Sequence, residues 1–173
     1  MGSDITTFII PSVDRPTLQR AIDSASKQAP YLVEIDHNRI GAAAIRNGLI
    51  KQALTEWVSF LDDDDTVTDD YVQRLREESE KHPEADVIIF REYFIQELMS
   101  GDHNDDKYPD HFIWQAPVVH WGQFGISFSV KREVALGHPF MDEVNEDFHF
   151  VERLDKLGYK IHFSKYMVYR ARH

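Results

Sequence analysis

Apolar and polar positions change period several times along this chain, and each change marks an element. Residues 5–10, Ile-Thr-Thr-Phe-Ile-Ile, form a β-branched run that stops at Pro11 and reads as a buried strand. Over 16–28, Leu18, Ala21, Ile22 and Ala25 fall at helical spacing, and Pro16 suits a first turn. A second strand is predicted over 31–35, ending at Asp36. Residues 41–54 read as an alanine-rich helix with Ile45, Leu49 and Leu54 as its buried face. The run 57–61 predicts a third strand that ends in Asp62-Asp63-Asp64-Asp65. Asp69 or Asp70 can cap the next helix, which carries Tyr71, Val72 and Leu75 and closes near His82-Pro83. A fourth strand is predicted over 85–94.

Strand and helix therefore alternate, which argues for an α/β fold: a mostly parallel, Rossmann-like sheet flanked by helices in one domain. Ligands of such sheets bind beyond the carboxyl ends of the strands. Asp14, Asp36 and the run at Asp62 all follow strand ends. Residues 100–125 are polar but carry Tyr108, Phe112, Trp114, Trp121 and Phe124, the composition of a long binding loop or lid. Beyond it, a strand is predicted over 125–130. Asn145 can cap a helix over 146–157 with Phe148, Val151 and Leu154 inward, and Gly158 can end it as a left-handed cap. Short strands over 159–163 and 167–169 follow.

Composition narrows the function. The 173 residues are 42% hydrophobic, enough for one core. Without cysteine there are no disulfides, thiolate nucleophiles or Cys-type zinc sites. No apolar run approaches the roughly 18 residues of a membrane span, no secretory leader is evident, and a cytoplasmic location is expected. Nineteen basic against thirty acidic residues, a net charge of -11 with no basic stripe, excludes nucleic acid as the expected partner. The nine histidines show no His-x3-His spacing, so zinc is not expected either. The acid is clustered: residues 62–70 hold six aspartates and 102–110 four. A strand that delivers adjacent carboxylates to one rim makes them repel, and a hard divalent cation relieves that repulsion while also taking diphosphate oxygens. The alternative for this run is a solvated acidic turn.

Four segments together resemble family 2 glycosyltransferases of the GT-A fold. Thr7-Phe8-Ile9-Ile10-Pro11-Ser12-Val13-Asp14-Arg15 is similar to their opening strand and loop. Gly41-Ala42-Ala43-Ala44-Ile45-Arg46-Asn47-Gly48 resembles their glycine-to-Arg-Asn helix. Trp57-Val58-Ser59-Phe60-Leu61-Asp62-Asp63-Asp64-Asp65 looks like their strand ending in a DxD motif. Asn145-Glu146-Asp147-Phe148 resembles their late Glu-Asp motif, with Gly158-Tyr159-Lys160-Ile161 the strand after it. The segments occur in the family's order across residues 6 to about 170.

The resemblance implies a metal-dependent, inverting transfer of a sugar from a nucleotide-sugar, a UDP-sugar foremost, to the hydroxyl of a glycan or other acceptor. It implies a donor half over 1–98 and an acceptor half over 99–173. Pro11, Ser12, Val13, Asp14, Asp36, Arg46, Asp62, Asp63 and Asp64 would line the nucleotide-sugar pocket. Asp64 and Asp62 would hold Mn2+ or Mg2+, with His173 as a further ligand. Asp147 would be the general base, with Glu146 beside it, while Trp121, Gly122 and Gln123 would meet the acceptor. One departure is that only four residues, His37 to Ile40, separate Asp36 from Gly41, where the family has a further strand and loop. Two other readings compete. Asp62-x-Asp64-x-Thr66 after an apolar strand, with Asp102 and Asp106, also fits a haloacid dehalogenase-like magnesium phosphatase with Asp62 as nucleophile. A non-catalytic nucleotide-sugar-binding module is the third.

Overall fold

The computed structural model describes residues 4–95, 111–112, 119 and 124–172. The first half follows the expected alternation: β1 (Thr6–Ser12), α1 (Leu18–Ser26), β2 (Tyr31–Ile35), α2 (Ala42–Gln52), β3 (Trp57–Phe60), the short β4 (Thr66–Val67), α3 (Tyr71–Lys81) and β5 (Val87–Ile95). The second half supplies β6 (His111–Phe112), β7 (Phe128–Lys131), α4 (Arg132–Gly137), α5 (Glu146–Lys156) and β8 (Ile161–Arg172). All eight strands join one sheet in the order β2-β1-β3-β7-β5-β8-β4, with β6 on β5. β1, β2, β3, β5 and β8 run one way, and β4, β6 and β7 run against them. This is the mostly parallel α/β sheet that the sequence pattern predicts.

β1 runs through Pro11 rather than stopping before it. Ile9 presents its carbonyl to Leu61 on the β3 side, and Ser12 presents its own to Asp36 on the β2 side. Alternation therefore turns the nitrogen of Pro11 toward β3, which has already ended at Phe60. A missing N–H is harmless there.

Aromatic and β-branched side chains fill the centre. Phe60 meets Phe128 and Phe140 edge-on, and Phe150 of α5 stacks on both, at 4.2 Å from Phe140 and 5.9 Å from Phe128. Phe148, Phe150, Val151 and Leu154 fix α5 against the sheet. Buried hydroxyls satisfy one another through the core: Thr6 to Ser59 at 2.8 Å, Ser59 to Ser129 at 2.6 Å, and Ser129 to Tyr71 at 3.1 Å.

Four local expectations are corrected. Leu54 is 92% exposed, because α2 ends at Gln52 and the chain is already extended at Ala53. Asp70 stands at the head of α3 but does not cap it; its carboxylate accepts Thr68 Oγ1 at 2.6 Å and Arg74 Nε at 2.9 Å. Asn145 precedes α5 in a left-handed conformation and makes no capping bond with its side chain. The last two short strands are one strand, β8, whose parallel register with β5 shifts around Arg91. Gly158 does end α5 with φ +88°, where Tyr159 N–H reaches back to the Leu154 carbonyl at 3.1 Å. No described helix is long and apolar enough to cross a membrane.

Candidate active site

The carboxyl ends of β1, β2 and β3 bring their following loops to one rim, as the strand directions require. There the chain leaves β3 through buried Leu61 and turns, with Asp65 N–H bonded to the Asp62 carbonyl at 3.2 Å. The turn sorts its four carboxylates. Asp63 points back and is buried, accepting Ser12 Oγ at 2.8 Å, Val13 N–H at 2.9 Å and Arg15 at 3.0 Å. It thereby fixes the loop after β1. Asp65 is also buried and accepts the Tyr169 hydroxyl of β8 at 2.8 Å. The same hydroxyl accepts Asp62 N–H at 3.2 Å. Asp62 and Asp64 stay partly open to the rim, and Arg15 pairs with Asp64 as well as Asp63.

Carboxylate oxygens of Asp62, Asp64 and Asp65 lie within 4.8 Å of one another. Burial, then the neighbouring charge of Asp62, pushes the Asp65 carboxyl up to about 9. Burial also raises Asp64, against the pull of Arg15. An all-oxygen donor set held this close at a cost to its own ionisation is the kind a hard divalent cation neutralises.

Arg46 joins this turn to α5. Its guanidinium is only 3% exposed, bonds Asp62 at 2.8 Å and pairs with Glu146. Burial opposes its charge, but Asp62 and Glu146 more than restore it. Asn47, the next residue, holds the backbone of Phe140 at both ends, donating to its carbonyl at 2.8 Å and accepting its N–H at 2.9 Å. Adjacent residues of α2 thus tie together the two acidic segments and the aromatic stack beneath them. Gly41 lets the chain enter α2 with φ +90°. Asp36 closes the short loop before it, accepting Ile40 N–H at 2.8 Å and Gly41 N–H at 2.9 Å. Those backbone donors, Gly41 first, hold its carboxyl below the usual range.

Glu146 and Asp147 occupy the first turn of α5 and face different ways. Glu146 meets Arg46. Asp147 accepts Phe148 N–H at 2.7 Å and lies close to Gly125, where a Cβ would sit 3.8 Å from Asp147 Oδ2 and 3.1 Å from Glu92 Oε1. Glu92, buried on β5, accepts Gly125 N–H at 2.9 Å. Burial raises both carboxyls, and each charge raises the other or a neighbour: Asp147 acts on Glu92, and Glu146 on Asp147. Sequence reading missed Glu92, although Arg91-Glu92 interrupts an otherwise apolar strand and was a visible signal. It also gave no role to Arg15.

A cleft of about 190 Å³ gathers much of this set. Pro11, Ser12, Val13, Asp36, Arg46, Asp62, Asp63 and Glu146 line it, together with Arg15, Ala42 and Ile45. Asp64 reaches it through Arg15. Asp14, left-handed and exposed, stands at the outer end of the β1 loop and does not line it. Asp147 lies behind Glu146 toward Gly125. Trp121, Gly122, Gln123, His173 and most of the expected loop over 101–124 lie outside the described residues. So do the Asp102 and Asp106 of the phosphatase reading.

The sequence profile of the family described as Glycosyl transferase family 2 matches residues 32–140. No curated protein matches the chain. Among solved structures, Staphylococcus aureus TarS 1–349 in complex with UDP-GlcNAc superposes with a TM-score of 0.72 at 14% identity, covering 97% of this chain and 58% of that one. The mannosyltransferase PcManGT from Pyrobaculum calidifontis, in complex with GDP-Man and Mn2+, gives 0.68 at 14% identity, covering 96% and 56%. A197 from STIV gives 0.60 at 18% identity, covering 92% and 81%. The chain thus spans little more than half the length of TarS 1–349 and PcManGT. These likenesses show the fold that this chain shares with those structures.

Proposed function

Because the chain belongs to glycosyl transferase family 2, we propose that it moves a sugar from a nucleotide-sugar to an acceptor hydroxyl, inverting the anomeric carbon. The observation that carries this reading is the pairing of two carboxylate sets through one buried arginine. Asp62, with Asp64 and Asp65, lies on one side of Arg46, and Glu146, with Asp147, on the other. Donor and acceptor chemistry need separate carboxylates, and this arrangement keeps them apart at a fixed spacing.

In this reading residues 1–98 hold the donor and 99–173 the acceptor. Pro11, Ser12, Val13 and Asp36 line the nucleotide side of the cleft, with Asp14 at its entrance. Asp63 acts indirectly, by holding the loop after β1. Asp62 and Asp64 of the DxD motif, assisted by Asp65, fit Mn2+ or Mg2+, and His173 completes the set. When bound, that ion supplies Lewis-acid stabilisation of the departing diphosphate. Asp147 takes the proton of the acceptor hydroxyl, since a hydroxyl is a poor nucleophile until a base removes it. Its raised affinity for protons suits that task. Glu146 and Arg46 keep the base aimed, and Trp121, Gly122 and Gln123 meet the acceptor, a glycan or other hydroxyl compound. UDP-sugar is the proposed donor class, the class seen with TarS.

The test is binding of UDP to the whole chain, followed by calorimetry with Mn2+ and with chelator. Affinity should be far higher with Mn2+, and Asp64→Asn should abolish the difference. Equal affinity with and without the ion would sink the metal role. The anomeric configuration of the product, read by proton NMR, tests inversion.

A further inference from the structure

Away from this rim a second group of donor atoms converges, and nothing in the transfer reaction uses it. Glu78 and His82 lie four residues apart near the end of α3, so one helix face presents both. His162 comes from the start of β8, which runs parallel to β5 from the amino end of the sheet. The group therefore occupies the rim opposite the aspartate turn. Glu78 is 5% exposed, and its Oε2 lies 2.6 Å from His162 Nε2. The His82 and His162 rings stack with centroids 3.7 Å apart and planes inclined by 23°. One donor atom from each residue falls within a 4.8 Å spread.

We propose that Glu78, His82 and His162 form a binding site for a divalent transition ion of the zinc class. An ion pair between Glu78 and His162 accounts for two of the residues but leaves a second imidazole stacked on the first, with one of its nitrogens inside the same 4.8 Å spread. Two imidazole nitrogens and one carboxylate oxygen are a borderline donor set, which selects zinc-like ions over the hard cations suited to an all-aspartate cluster. Zinc with bonds of roughly 2.0–2.1 Å needs donors about 3.3 Å apart, so binding requires the His82 ring to swing out of its stack on His162 until its nitrogen points at the ion. Glu84 Oε1 lies 3.6 Å from His82 Nδ1. His162 also lines an open hollow of about 530 Å³, which reaches the group from its β8 side.

The site pins the end of α3 to the start of β8, so its effect is on stability of that rim rather than on transfer. The test is titration of the whole chain with zinc chloride in excess Mg2+, which saturates oxygen-only sites, read by calorimetry and by melting temperature. One zinc per chain should bind and raise the melting temperature. His82→Gln and His162→Gln should each weaken binding about a hundredfold or more. Asp64→Asn should leave zinc affinity unchanged. Wild-type chain substituted with Co2+ gives a check that needs no variant: nitrogen-containing, near-tetrahedral ligation yields intense visible absorption, and octahedral oxygen ligation does not. Absence of tight zinc binding, full retention of it in His82→Gln, or a weak octahedral Co2+ spectrum would each overturn the assignment.

Discussion

Two acidic segments meet at the carboxyl rim of the sheet, and they hold their charges by different means. The turn Asp62–Asp65 is an irregular loop whose every carboxylate is positioned by a distant partner: Ser12 and Arg15 for Asp63, Arg15 also for Asp64, Tyr169 for Asp65, Arg46 for Asp62. The pair Glu146–Asp147 is positioned by its own helix, which rotates neighbouring side chains to different walls. A loop gains precision only from contacts made elsewhere in the chain; a helix packed on phenylalanines carries its precision with it. Arg46 is the one side chain bonded to both segments among the described residues.

Removing that link is expected to have the largest effect. Arg46→Met leaves Asp62 and Glu146 facing each other without a counter-charge, a loss of about 3 kcal/mol, the lower end for a broken buried pair because both acids are partly exposed. Urea unfolding should read it, and donor binding should weaken alongside. A variant as stable as the parent would mean the two segments are held apart by packing alone.

Next comes Asp147→Asn, which keeps size and the acceptor for Phe148 N–H. Turnover should fall about a hundredfold or more while folding and donor affinity stay near normal. Glu146→Gln should be milder in turnover, since in the proposed mechanism Glu146 positions its neighbour rather than reacts. Should the two variants lose rate equally, the helix segment acts as one unit and the division between its two acids fails.

Asp65 sharpens the comparison through a slope with pH rather than a loss at one pH. Without metal, the folded chain keeps a proton on Asp65 up to about pH 9, while the unfolded chain releases it near its ordinary value of 3.8. The unfolded state therefore binds fewer protons between those limits, and stability falls as pH rises through that window. Asp65→Asn keeps an acceptor for Tyr169 and removes this slope. In chelator its melting temperature should exceed the wild type's by a margin that grows from about pH 5 to pH 8. Parallel melting curves across that range would show that Asp65 ionises freely in the fold.

Much of this arrangement was readable from the chain. The apolar runs before Pro11, Asp36 and Asp62 announce three parallel strands and their common rim; burial is complete in β1 and β3, while β2, at the edge of the sheet, is only partly buried. Asp62, Asp64, Arg46 and Glu146 stand out in the sequence itself. What remained hidden depended on contacts distant in sequence. Nothing local distinguishes Asp63 and Asp65, turned inward, from Asp62 and Asp64, turned outward. Glu92 acquires its place only when Gly125 crosses over β5. β4, two residues long, exists because β8 lies beside it. Leu54 failed for a simpler reason: helical periodicity was extended past the point where the chain straightens at Ala53.

The position of β8 between β5 and β4 has a consequence in time. During synthesis the aspartate turn emerges early, but the hydroxyl that braces it belongs to Tyr169, 104 residues after Asp65. Until β8 slots in, the nascent chain carries its crowded carboxylates on an unsupported loop, and β5 exposes a bare edge to other chains. Long-range closure of this kind is slow. The aspartate turn is therefore synthesised well before the strand that braces it, and its carboxylates take their places only once β8 has docked.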